Sequence, residues 1–203
     1  MSRARMTLVW AVLACALVVP IAAAAVSPQL AWRDPIYIAA GFAGVVAMSL
    51  MLVQPLLIGR YLPGIPSRRY RQIHRGIGGV LVALVAIHVA GLWITSPPDV
   101  IDALLFDSPT PFSAWGVIAM WAIFITGFLA MLRKPLRIRP GTWRIVHTTL
   151  AAVIVVGSVV HAVQIEGTME TVSKVALCGL ILIATVKVVA DLRVWTLLHR
   201  RAG

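Results

Sequence analysis

Charge is scarce in this 203-residue chain: Asp, Glu, Lys and Arg together make up only 12% of it. Acid is the scarcer sign, with 7 Asp and Glu against 18 Lys and Arg. A soluble domain carries about twice that charged share, so a soluble fold is excluded. Cysteine is nearly absent. Cys15 and Cys178 sit inside apolar runs, and no CxxC or CxxCH occurs, which removes thioredoxin-like chemistry and thioether cofactor attachment. No Asp or Glu lies in the middle of an apolar stretch, which argues against an ion-coupled transporter.

What remains is grease: 60% of the residues are hydrophobic. About 20 apolar residues cross a bilayer as a helix. Six stretches qualify, near 7–25, 36–58, 73–95, 113–132, 143–164 and 172–192, and the longest connections are 59–72 and 96–112. The expected fold is an all-α membrane protein, a six-transmembrane-helix bundle forming a single domain over residues 1–203. Within the second long connection, the DVIDALLF segment predicts a short surface helix. The first apolar run has two readings, a secretory signal cleaved near Ala25 or a retained first span, and the retained span is the expectation.

The net charge of +11 does not imply nucleic acid, because the cations alternate along the chain. Arg60, Arg68, Arg69, Arg71 and Arg75 form one group; Arg133, Lys134, Arg137, Arg139 and Arg144 form another. Arg3 and Arg5 open the chain, and Arg193, Arg200 and Arg201 close it, with His199 in the same solvated basic tail. The opposite boundaries hold Asp34, Asp99, Asp102, Asp107, Glu166 and Glu170, with only Arg33 and Lys174 as basic company. The positive-inside bias then places both termini in the cytoplasm, with anionic lipid headgroups as incidental partners. Trp93 and Trp115 fall at the outer interface and Trp143 and Trp195 at the inner one, as belt residues with no further role.

Four of the five histidines fall on one ruler. Arg71-Gln-Ile-His74 leads through thirteen mostly apolar residues to His88, and Arg144-Ile-Val-His147 leads through thirteen more to His161. Fourteen residues of α-helix rise about 21 Å and rotate to within about 40° of four full turns. Each pair therefore shares one helix face at two depths. The third and fifth spans run in the same direction, so His74 faces His147 near the inner surface and His88 faces His161 near the outer one.

Intramembrane polar residues are costly and default to function. Zinc or copper wants three or four protein ligands, and neither level offers them. Haem brings four nitrogens of its own and asks the protein only for axial ligands, which two facing helices with one His each provide. The expectation is two b-type haems, bis-histidine ligated, between the third and fifth spans. Arg71 and Arg144 lie one turn nearer the cytoplasm on the ligand face, and Arg75 beside it; all three suit haem propionates. Gly78, four residues after His74, and Ala151, four after His147, leave room for a flat macrocycle, with Gly76, Gly79 and Gly157 as further small residues. With both axial positions filled, such centres carry electrons rather than activate a ligand. Two levels about 21 Å apart span most of a ~30 Å core.

RQIHRGIGG with His88, and TWRIVH with His161, make the chain resemble the ferric reductase-like transmembrane domain superfamily. Its members include ferric reductases, NADPH oxidases and the haem subunit serving periplasmic methionine sulfoxide reductase. The resemblance covers nearly the whole chain. It implies His74 and His147 on an inner haem b, and His88 and His161 on an outer one. It also implies transmembrane electron transfer, with ferric iron, oxygen or a periplasmic redox partner as acceptor. Because the sequence stops at Gly203 with no flavin domain, a cytoplasmic flavoprotein or a quinol is the expected donor. The expected location is a bacterial inner membrane. A quinone-linked cytochrome b561-type anchor and a non-redox transporter or haem-handling module are the alternatives.

Overall fold

The structure is a computed structural model that describes residues 2–192; Arg193, Trp195, His199, Arg200 and Arg201 lie outside the described residues. The described residues form α-helices joined by short connections, with no strand among them. Six helices are long and apolar enough to cross a membrane: α1 (Arg3–Ala25), α2 (Pro35–Ile58), α3 (Ser67–Thr95), α5 (Pro111–Leu132), α6 (Pro140–Gln164) and α7 (Thr171–Asp191). The seventh, α4 (Pro97–Leu104), is the short helix expected from DVIDALLF.

Local chemistry sets where these helices start. Asp34 caps α2 by accepting from the backbone N–H groups of Ile36 and Tyr37, with Pro35 at the first helical position. Glu170 caps α7 through Val172 and Ser173. Pro111 and Pro140 open α5 and α6 in the same way as Pro35. Helix α3 begins at Ser67, six residues before the expected 73, and α6 begins three before the expected 143. Apolarity marks where a helix meets lipid, not where it begins. After Pro66 and Pro140 nothing breaks the helix, so the basic first turns continue it beyond the apolar span. Tyr70 secures the α3 extension by donating its hydroxyl to the Leu62 carbonyl.

Packing divides the bundle into two hairpins, α2 along α3 and α5 along α6. Helix α7 joins them by touching both α2 and α6, and α1 lies against α2 and α7. Trp10 of α1 donates to the Pro63 carbonyl at 3.2 Å, and Ser49 of α2 to the Leu17 carbonyl at 3.4 Å. The core gathers Met48, Leu52 and Leu57 of α2, Val155 and Val159 of α6, and Leu177 and Ile181 of α7. Helix α3 is the exception. Its 29 residues include only three buried ones, Tyr70, Leu81 and Gly91. The two histidine-bearing helices, α3 and α6, make almost no backbone contact with each other. Protein interiors are close-packed, so two facing helices held apart mark a space shaped for something else.

Candidate functional site

Both ends of that space are marked by histidine. At the inner level His74 of α3 meets His147 of α6, with ring centroids 6.0 Å apart and planes at 83°. Two imidazoles on opposite faces of one metal atom have ring centres about 6 Å apart, from two bonds of about 2.0 Å and about 1.1 Å to each ring centre. Nδ1 of His74 and Nδ1 of His147 are both buried without a hydrogen-bond partner. Leaving such a nitrogen unpaired costs about 1–3 kcal/mol each.

At the outer level His88 and His161 line one cavity of about 750 Å³. Both are oriented by backbone. Nδ1 of His88 donates to the Ala40 carbonyl of α2 at 2.8 Å, and Nδ1 of His161 donates to the Phe112 carbonyl of α5 at 2.8 Å. A carbonyl can only accept, so the proton of each neutral ring sits on Nδ1 and the lone pair on Nε2 is left for a ligand. One turn along each supporting helix is a glycine pressed against the ring. A methyl group at Gly44 would come 3.2 Å from Nδ1 of His88, and one at Gly116 would come 2.7 Å from Nδ1 of His161.

The two hairpins are therefore copies of one device, and the copying extends to sequence. Gly44-Val-Val-Ala-Met48 on α2 matches Gly116-Val-Ile-Ala-Met120 on α5. The pairs Gly44/Gly116, Val45/Val117, Ala47/Ala119 and Met48/Met120 all line the cavity. This repeat went unread beside the more visible histidine ruler, although the shared pentapeptide was a signal for it.

The remaining expected site residues are more scattered. Arg71 and Arg75 are exposed at the inner end of α3. Arg144 donates to the Leu192 carbonyl at 2.7 Å, which ties α6 to the end of α7. Gly78 faces α2, where an added methyl would lie 3.6 Å from Nε2 of Gln54. Gly76 and Gly79 border open space, whereas Gly157 is a packing glycine against Trp115 and Ala119 of α5.

Three further residues enter from the geometry. Trp143, expected only as a belt residue, stacks on His147 with centroids 5.0 Å apart and planes at 17°, and the Arg133 guanidinium lies over the Trp143 ring at 5.4 Å. Gln54 donates to the His74 carbonyl at 3.3 Å, while its own Oε1 is buried and unpartnered. Lys174, counted in the sequence as an outer boundary cation, is 5% exposed and lines the outer cavity.

Among the described residues no cluster of three or more His, Cys, Asp or Glu could hold a bare metal ion. Two imidazoles per level, one open nitrogen on each outer ring, an apolar cavity and a gap between helices fit a flat macrocycle that brings its own equatorial donors. Fold and site together define a multi-pass integral membrane protein with paired intramembrane histidines. The model of the ferric reductase like transmembrane component family matches residues 40–158, more than half of the chain, and the protein belongs to that family. No curated protein and no solved structure matches the chain.

Proposed function

We propose that the protein is a di-haem b-type membrane cytochrome that passes electrons across the membrane, from a cytoplasmic flavoprotein or quinol to an extracytoplasmic acceptor such as ferric iron, oxygen or a periplasmic redox protein. The carrying observation is the matched pair of histidine levels on two helices that hardly touch. Haem bound at each level would supply a one-electron ferric/ferrous couple.

The chain's own residues do the rest. His74 and His147 would hold the inner group, and His88 and His161 the outer one. The Ala40 and Phe112 carbonyls fix the two outer rings in the tautomer that offers Nε2. Val45, Val117, Met48 and Met120 give the outer level an apolar wall. Arg71 and Arg75 stand at the inner end of α3, where carboxylates of the inner group would meet them. Gly78 leaves room on the Gln54 side of α3, and Arg144 ties the inner end of α6 to the end of α7. The charge bias supports a cytoplasmic inner end with both termini there; the location proposed is a bacterial inner membrane, with residues 1–203 acting as one electron-transfer domain.

Purified protein tests this directly. A dithionite-reduced sample should show split b-type α-bands, and a pyridine haemochrome assay should count about two haems per chain. A colourless, haem-free protein would overturn the reading.

A further inference from the structure

The acidic outer boundaries of the chain have two basic exceptions: Lys174, which lines the outer cavity, and Arg33, which lines a smaller one beside it. Lys174 lies in the first turn of α7, where it is 5% exposed. Its Nζ donates to the Ile165 carbonyl at 2.8 Å. An ammonium has three donors, and among the described residues no carboxylate comes within ion-pair distance of this one. Exposed Glu170, one turn earlier, feels its charge, and Asp99, Asp102 and Glu166 line the same cavity, yet the ammonium makes one hydrogen bond to a carbonyl and keeps donors for a buried anion. Lys174 nevertheless lines the same cavity as His88 and His161. Arg33 borders a smaller adjoining cavity that shares Tyr37, Glu166 and Thr168 with the larger one, and its guanidinium lies over the Tyr37 ring at 5.0 Å.

We propose that Lys174 anchors a carboxylate of a planar, dianionic tetrapyrrole seated in the outer cavity, with Arg33 at the rim as the second cation. This rests on the di-haem reading and assigns the outer level its own carboxylate partners, separate from the arginines of the inner end. The apolar cavity wall accepts the macrocycle, and the buried ammonium selects the orientation in which its acidic edge faces the outer surface.

The test uses full-length protein with His74→Ala and His147→Ala, so that only the outer level binds, titrated with haemin or with haemin dimethyl ester. The ester keeps the ring and removes both charges. Haemin should bind at least about tenfold more tightly than the ester. Lys174→Met should erase that preference by weakening haemin alone, Lys174→Arg should keep most of it, and Arg33→Gln should reduce it partially. A preference that survives Lys174→Met, or one that is absent before any substitution at 174, overturns the proposal while leaving the di-haem reading intact. Failure of the parent chain to bind either tetrapyrrole at both levels overturns the di-haem reading and this proposal together.

Discussion

The two histidine levels are held in different ways. The outer rings are locked by the frame: each Nδ1 is bonded to a carbonyl of the neighbouring helix, and each ring is pressed against a glycine. The inner rings have no such bonds. Their Nδ1 atoms are buried and unpartnered, and His147 is steadied by the stacked indole of Trp143. The outer level is thus preorganised, whereas the inner level is steadied only by an aromatic neighbour. A preorganised site binds tightly and tolerates little change at its supports, while a loosely held one is tuned by what surrounds it.

The largest effects should come from the ligands themselves. His88→Ala or His161→Ala should cut the haem count from about two per chain to about one by removing the outer centre, and His74→Ala or His147→Ala should remove the inner centre, both read by pyridine haemochrome and by which α-band disappears. If His74→Ala and His161→Ala abolished the same band, the pairing by depth would be wrong.

Next come the supports, where the two hairpins should differ in degree. Gly116→Ala puts a methyl 2.7 Å from the His161 ring, against 3.2 Å from the His88 ring for Gly44→Ala. Outer-haem occupancy should fall by about half or more for Gly116→Ala and by less for Gly44→Ala. Equal losses would mean that the supporting helices shift freely.

A smaller effect separates the inner level. Trp143→Leu should keep both haems but lower the inner midpoint potential on the order of 30 mV, as water reaches the stacked face of His147, while Trp143→Phe restores most of it. An outer potential that moved instead would break the comparison.

The smallest effect lies outside both levels. The backbone N–H groups of Ser173 and Val172 hold the Glu170 carboxylate below its ordinary value. The carboxylate is therefore stabilising above the ordinary glutamate range, and its contribution fades as pH falls through the lowered value. Glu170→Gln should lower the melting temperature by about 2 °C at pH 7 and by less at acid pH, followed by thermal unfolding in detergent.

Much of this was legible in the residues, for reasons that also explain what was not. A span of apolar side chains is a local property, so the six crossings and the α4 segment could be read directly. The four histidines declared themselves because equal spacing on parallel helices carries phase and depth together. Their outer partners did not, because the acceptors at Ala40 and Phe112 are backbone carbonyls, and a carbonyl leaves no mark on residue identity. The role of Trp143 was hidden by position: an interfacial tryptophan is expected for lipid reasons alone, and only coordinates reveal the imidazole beneath it. The depth of Lys174 was not legible, because counting cations at a boundary records which side of the membrane they favour, not how deeply they sit.

The doubled hairpin also changes how a bundle of this kind is put together. Two identical helical pairs on separate chains would have to find each other by diffusion in the lipid before any ring was enclosed. Linking them through the α3–α5 connection and fastening them with α7 makes the encounter intramolecular. Assembly then proceeds at a fixed effective concentration, and formation of the paired-histidine levels does not depend on how many copies of the protein the membrane holds.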